Sequence, residues 1–197
     1  MKTILIALFF SMSIYSVIGQ QNTNESKHLT FKGVPIDGTL NEYVLKMKKN
    51  GFVHEGTEDG IAFMRGEFAG YKDCVIGIAT LKEKDLVHKI VVLFSPRETW
   101  SDLSGNYFNL KEMLTEKYGE PSEVVEKFDS NYQPDDDDEK MYKVKFDNCK
   151  YYSVFETEKG TIELSIDHES VIRCFVLLKY FDKINGEIFK AKAKGDL

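Results

Sequence analysis

The spacing of apolar residues predicts a helix near the start of the chain. Leu40, Tyr43 and Met47 follow one another at intervals of three and four residues, which places them on one side of an amphipathic helix. Thr39 precedes the run and Glu42 follows three residues later, the spacing of a capping box. We therefore expect a helix that begins after Thr39 and buries one stripe.

A second helical pattern covers residues 107–118, where Leu110 and Leu114 share a stripe. Residues 99–103 form a short helical segment ahead of it, and Gly105 predicts a break between the two.

Most of the remaining chain has strand patterns. Residues 60–68 and 71–81 flank Ala69-Gly70, which predicts a hairpin with a two-residue turn. Residues 87–94 are almost continuously apolar, as in the interior of a sheet. Further strands are expected at 122–128, 141–146, 149–157, 161–166 and 171–181.

The order of these elements, helix then strands, occurs twice. The closing strands 87–94 and 171–178 both begin with Val and carry a basic residue third, Lys89 and Arg173. We expect an α+β fold in which one antiparallel sheet has helices on one face and the opposite face open. It would be a single domain over residues 31–182, built from two helix-then-strands repeats at about 31–95 and 96–182.

Two polar segments are expected outside this core. Asp135 and Glu139 bound five consecutive acids within a loop at 129–139, which we interpret as an insertion in the second repeat. Residues 183–197 carry several lysines and are expected to form a loosely ordered basic tail.

The N-terminus has the plan of a cleavable export signal. Lys2 precedes the apolar stretch 4–10, and small residues at Val17 and Gly19 predict cleavage after Gly19. The signal peptide would be residues 1–19, followed by a flexible leader at 20–30. No Cys follows the cleavage point, so lipid attachment is not expected, and the mature protein would be secreted or periplasmic with no transmembrane segment. A retained N-terminal anchor is the alternative.

The charge balance argues against nucleic acid as a partner. The chain has 26 basic and 32 acidic residues, a net charge of −6, and loss of Lys2 makes it −7. Nucleic-acid binders need basic surface to neutralise phosphates. Aromatic residues make up 13% of the chain, which favours a sheet over a helical bundle.

The three cysteines enter an oxidising compartment if the chain is exported. An odd number leaves at least one thiol unpaired. Cys174 lies in an apolar strand pattern and is expected to be a buried free thiol. Cys74 and Cys149 either pair or stay free, and the sequence leaves both open.

No motif predicts catalytic, cofactor-binding or metal-binding residues. The chain has no G-x-S-x-G elbow, no CxxC pair and no two histidines at zinc spacing. The acidic run lacks the glycine and alternating ligands of an EF-hand, so a solvated loop is favoured and calcium binding is left open.

Composite sites are the remaining catalytic possibility. His168 could pair with Cys149 or Cys174 as a dyad. Carboxylates also recur on the strands, at Glu156, Glu158, Glu163 and Asp167, where alternation with apolar residues is typical of the polar side of a half-buried strand.

Aromatic residues on the strands suggest a binding surface. Some of these side chains must face away from the helices, and exposed aromatic clusters often mark protein interfaces. The alternative is that a third layer, a long loop or the tail covers them. The candidates are Tyr71, Tyr151, Phe155, Phe175 and Phe181.

Three segments carry a resemblance to known proteins. Residues 31–38, 87–100 and 117–121, the last reading Lys-Tyr-Gly-Glu-Pro, resemble a group of uncharacterised secreted proteins from Bacteroides-type bacteria. The repeated plan also resembles the β-lactamase-inhibitor-protein fold, which implies binding through a concave sheet face rather than catalysis.

The expected function is therefore an exported, non-catalytic module that binds a protein partner through the open face. A hydrolase with a composite site on that face, and a structural envelope protein that oligomerises through its sheet edges, are the alternatives.

Overall fold

A computed structural model describes residues 26–81, 84–129 and 134–195 of the chain. The predicted signal peptide and the first six residues of the predicted leader lie outside these ranges. The strands are β1 (Thr30–Phe31), β2 (Val34–Pro35), β3 (Val53–Glu58), β4 (Ile61–Phe68), β5 (Tyr71–Leu81), β6 (Leu86–Leu93), β7 (Glu123–Phe128), β8 (Cys149–Thr157), β9 (Gly160–Glu169) and β10 (Arg173–Asp182). The helices are α1 (Leu40–Lys49), α2 (Trp100–Tyr118), α3 (Asp137–Lys145) and α4 (Lys183–Gly195).

Eight strands form one antiparallel sheet in the order β3-β4-β5-β6-β10-β9-β8-β7. This confirms the predicted α+β class with helices packed on an antiparallel sheet. α1 precedes β3 to β6, α2 precedes β7 to β10, and the two sets meet where β6 pairs with β10. The equivalence of the two sets as structural repeats stays a prediction.

The core lies between the sheet and the three helices α1, α2 and α3. Alternate residues of each strand point to that side of the sheet and pack against the helices. The helices bury one stripe each, including Tyr43, Leu103 and Val144. The strands contribute the side chains of Met64, Ile76, Ile78, Ile90, Val92, Leu164, Val176 and Leu178. We call this side of the sheet the covered face.

Helix α1 is the element that the sequence predicted best. The Thr39 hydroxyl accepts a hydrogen bond from the Glu42 backbone N–H at 3.3 Å, and the Glu42 carboxylate accepts one from the Thr39 N–H at 3.2 Å. Both halves of the predicted capping box are therefore present.

Helix α2 is continuous from Trp100 to Tyr118, so the break predicted at Gly105 is wrong. Thr99 caps the helix by accepting a hydrogen bond from the Asp102 N–H at 3.2 Å. A glycine inside a helix costs only about 1 kcal/mol relative to alanine. The buried stripe that includes Leu103 and Leu110 outweighs that cost.

The strand predicted at 141–146 is also wrong, since residues 137–145 form α3. Three acids of the run, Asp137, Asp138 and Glu139, form its first turn, where carboxylates interact favourably with the positive end of the helix. Asp136 caps the helix through the Glu139 N–H at 2.7 Å, while Met141 and Val144, three residues apart, are buried. The short run of apolar residues was consistent with either structure.

Both predicted flexible ends are held against the domain where they are described. The segment expected to be a loose tail forms α4 over residues 183–195. The amide of Asn185 donates to the carbonyls of Ile36 and Val87 at 3.1 and 2.9 Å. Leu29, in the predicted leader, is buried, and its N–H donates to the Asp182 carboxylate at 2.9 Å.

In the described part of the chain, none of the helices combines the length and apolar character needed to cross a membrane.

Candidate functional site

The side of the sheet that points away from α1, α2 and α3 is the candidate site, and we call it the outer face. Strand register places its residues in rows that cross the sheet. One row contains Val53, Arg65, Val75, Leu93, Leu177, Ser165, Tyr152 and Val125. The next contains Gly56, Phe63, Gly77, Val91, Lys179, Glu163, Val154 and Glu123.

The centre of the outer face is apolar. Val75, Val91 and Leu93 are half-buried on the two adjacent strands β5 and β6. Towards β3 the exposure rises, to 37% for Phe63 and 66% for Val53. A sheet face that only meets solvent normally alternates to polar residues, so this composition differs from that of an ordinary solvated face.

Charged side chains flank this apolar centre and are already paired with one another. On the β3 side, the Arg65 guanidinium donates to the Glu55 carboxylate, with a second contact at 3.2 Å. On the β9 side, the Lys179 ammonium lies 2.6 Å from the Glu163 carboxylate. The rim is therefore polar without a large excess of either charge.

Two of the five predicted aromatic residues lie on the outer face. Phe175 and Phe181 share the parity of Leu177 on β10. Phe175 is only 6% exposed, while the Phe181 ring is partly exposed and lies 5.0 Å from the ammonium of Lys89.

The other three aromatic residues point to the covered face, so the five do not form one surface. Tyr71 packs edge-on against Phe94 at 5.1 Å, and Tyr151 packs against Trp100 at 4.9 Å. Phe155 is 1% exposed in the core. Strand register decides which face of the sheet a residue occupies. The amino-acid pattern alone did not determine that register.

A fork opens in the sheet between β8 and β9. The two strands pair from Tyr152–Ser165 to Thr157–Gly160, but β8 begins earlier and β9 continues further without pairing to each other. The gap is a cleft of about 480 Å³ that reaches both faces. Its lining includes Asp147, Lys150, Ser165, Asp167 and His168.

Polar groups bridge this fork. The His168 ring lies 2.9 Å from the Asp147 carboxylate through Nε2 and 2.8 Å from the Ser170 carbonyl through Nδ1. The hydrogen bond to Asp147 is the main reason why the pKa of His168 is raised. The Ser165 hydroxyl is buried and has no partner among the described residues.

The fork places Cys174 of β10 opposite His168 of β9 and Cys149 in the same cleft, but Cys174 is buried and Cys149 half-buried. Burial raises the pKa of the Cys149 thiol to about 12 and also raises the pKa of the Cys174 thiol. A reactive cysteine needs its pKa lowered, so this arrangement gives no support to the predicted dyad.

A disulfide between Cys74 and Cys149 does not form, and all three cysteines are free thiols. The two residues lie on β5 and β8, with β6, β10 and β9 between them. Four strand spacings separate them by about 19 Å, whereas bridged Cα atoms are less than about 7 Å apart.

The strand carboxylates do not form a matched pair across a cleft. Glu163 is paired with Lys179, and Glu156 accepts a hydrogen bond from the Thr161 hydroxyl at 2.9 Å. Glu158 lies in the exposed turn before β9. Across residues 26–81, 84–129 and 134–195, no group of three or more His, Cys, Asp or Glu side chains is arranged to hold a metal ion.

A second cavity, which we call the α4 recess, lies between α4 and the end of the outer face. It measures about 670 Å³ and is lined by Lys89, Thr161 and Phe181 of the sheet and by Phe189 of α4, among others. Sequence reasoning missed this cavity because it treated residues 183–197 as a tail. The periodic placement of Ile184, Ile188 and Phe189 among polar residues was the available signal.

Comparison with protein-family models, with curated proteins and with solved structures finds no match for this chain.

Proposed function

We propose that this protein is an exported, non-catalytic module that binds a protein partner through the outer face of its sheet. The observation that supports the proposal most strongly is the apolar centre of that face, formed by Phe63, Val75, Val91 and Leu93. Contiguous apolar side chains that remain in partial contact with water often mark an interaction site.

The layout of the face matches the anatomy of protein interfaces. Such interfaces have an apolar centre depleted in charge and a polar rim. Here the centre lies on β4, β5 and β6, about 10 Å across three strands, and the pairs Arg65–Glu55 and Lys179–Glu163 stand on either side of it.

The charge pattern indicates the chemistry of the partner. Because the rim charges already neutralise each other, a polyanion such as nucleic acid gains little by binding there. The main favourable contribution to the free energy of binding is the burial of apolar surface, at about 25 cal/mol per Å². We therefore expect a folded protein that presents apolar side chains to the centre of the outer face.

A photo-crosslinking amino acid placed at position 91 tests the proposal directly. The protein is produced in a cell that exports it, irradiated, and its adducts are identified by mass spectrometry. We expect one adduct with a specific protein at position 91, and none at position 124, whose valine is exposed on the edge strand β7.

A purified partner then allows a quantitative test. Val91→Glu places a charge in the centre of the outer face and is expected to weaken binding at least 10-fold, whereas Val124→Glu leaves it unchanged. Equal crosslinking at both positions, or unchanged affinity of the Val91→Glu variant, would refute the proposal. An adduct with a second copy of the chain would instead support the envelope-protein alternative, which size-exclusion chromatography checks.

The hydrolase alternative predicts a different result. A broad screen of ester, amide and glycoside substrates would have to detect turnover that Glu156→Ala or His168→Ala abolishes. The raised thiol pKa values and the paired strand carboxylates described above favour the binding module.

A further inference from the structure

We propose that the α4 recess binds a small amphipathic organic anion, with its apolar body between Phe181 and Phe189 and its carboxylate at Lys89. The inference uses a different part of the outer face from the protein-binding centre and does not depend on it.

The size and walls of the recess suit an organic ligand. Its volume of about 670 Å³ falls in the range of small-molecule sites, about 300–1,000 Å³. Phe181 and Phe189 provide aromatic walls, and Gly186, which has open space where a side chain would be, allows close approach to the backbone. Such sites usually combine apolar walls with a few polar groups that orient the ligand.

Lys89 supplies a positive charge that is not matched by a carboxylate. It lies over the Phe181 ring and is half-buried. In the portion of the chain that the structure covers, no Asp or Glu lies within ion-pair distance of it. Burial and the nearby Lys179 lower the pKa of Lys89, and the Glu163 carboxylate opposes them in part; a bound anion would act in the same direction as Glu163.

His88 supplies an unused hydrogen-bonding group beside it. An extra residue in β6 interrupts the pairing with β5 between Ala79 and Thr80, and the His88 ring packs edge-on against Phe189 at 5.3 Å. The ring Nδ1 is buried, and no described residue is its hydrogen-bond partner. A buried polar atom left unpaired costs about 1–3 kcal/mol. Nδ1 has almost no exposed surface, so a ligand carboxylate at Lys89 would accept from it only after the ring turns toward the recess.

Lysines and acids line the recess in equal number, so the preference for an anion rests on the position of Lys89 and not on the net charge of the walls. Lys183 and Lys190 line it together with Lys89, whereas the acids are Glu156, Glu187 and Asp182. The Asp182 carboxylate is committed elsewhere, because it accepts from the Leu29 and Asn185 N–H groups. Glu156 accepts from the Thr161 hydroxyl.

The test uses the aromatic anion 1-anilinonaphthalene-8-sulfonate as a fluorescent probe and a matched series of ten-carbon competitors. We expect decanoate to displace the probe at concentrations at least 10-fold lower than decanol or decylamine. Displacement by decanol as effective as by decanoate would overturn the proposal, because the recess would then recognise only apolar surface.

Variants locate the site. Lys89→Met keeps the length of the side chain and is expected to weaken decanoate binding at least 10-fold, while Lys46→Met, on the exposed surface of α1, does not change it. Unchanged affinity in the Lys89→Met variant would also overturn the proposal. If that variant fails to fold by circular dichroism, the competitor series on the wild-type protein decides alone. Val91→Glu should leave decanoate binding intact, which separates this site from the protein-binding centre.

Discussion

The two faces of this sheet are built from alternating residues of the same strands, yet their surroundings differ. On β6, Val92 is fully buried beneath the helices, while its neighbour Val91 is half-exposed on the outer face. The covered face is apolar because its side chains form the hydrophobic core beneath the helices. The outer face is also apolar at Val75, Val91 and Leu93, which are only half-buried, and this composition is the basis of the proposed binding role.

Polar groups also differ between the faces. The covered face holds a buried hydrogen bond between the Tyr107 and Ser153 hydroxyls at 2.7 Å. The outer face holds ion pairs that remain partly in water, such as Lys179–Glu163. Burial should therefore make the first interaction costly to break and the second nearly neutral.

The largest difference is expected from a matched pair of truncations on β6. Val92→Ala removes two methyl groups from the core and should lower the free energy of unfolding by about 2 kcal/mol. Val91→Ala should cost less than about 1 kcal/mol, because that side chain is half-exposed. Urea denaturation measures both, and equal losses would mean that the two faces are equally buried.

A smaller loss is expected for Tyr107→Phe. The variant leaves the buried Ser153 hydroxyl without its partner, at a cost of about 1–2 kcal/mol. Thermal denaturation should show the loss, and Tyr142→Phe, on the exposed side of α3, serves as the control. A loss no larger than that of the control would show that water replaces the missing hydroxyl.

On the outer face, Lys179→Met should change the free energy of unfolding by less than about 1 kcal/mol, since ion pairs that keep contact with water contribute little. Any change should shrink in 1 M NaCl, because salt screens exposed charges. A larger, salt-independent loss would indicate that this part of the face is buried.

The smallest effect concerns the fork and depends on pH. The pKa of His168 is raised in the folded protein by its hydrogen bond to Asp147. The resulting stabilisation is present below the pKa of the unfolded chain, about 6.5, and is lost as pH rises through the folded-state pKa. His168→Gln should therefore destabilise more at pH 5.5 than at pH 8.5 in urea titrations, and a pH-independent difference would argue against a charged His168.

The sequence predicted those parts of the fold whose signals are local. The capping box at Thr39 and Glu42 and the hairpin at Ala69-Gly70 depend on a few adjacent residues, and both are confirmed. At the hairpin, Ala69 and Gly70 both have positive φ angles, 51° and 81°, as a two-residue turn requires.

The features that it missed depend on contacts between distant segments. α4 is held by hydrogen bonds from Asn185 to Ile36 and Val87, about 100 to 150 residues earlier in the chain. Tyr151 and Phe155 lie on the opposite face of the sheet from Phe175. This likewise follows from the register between β8, β9 and β10. Neither kind of information is present in a local pattern of apolar residues.

The position of β10 also constrains how the protein can be made. This strand comes last along the chain, yet it lies at the centre of the sheet between β6 and β9. During synthesis the first half therefore has β6 as an unpaired edge, rich in Val and Ile, until some 80 further residues have emerged. If synthesis pauses in this interval, the unpaired edge of β6 is prone to associate with other chains. Keeping the first half of the chain unfolded until β10 has been made would therefore favour correct folding.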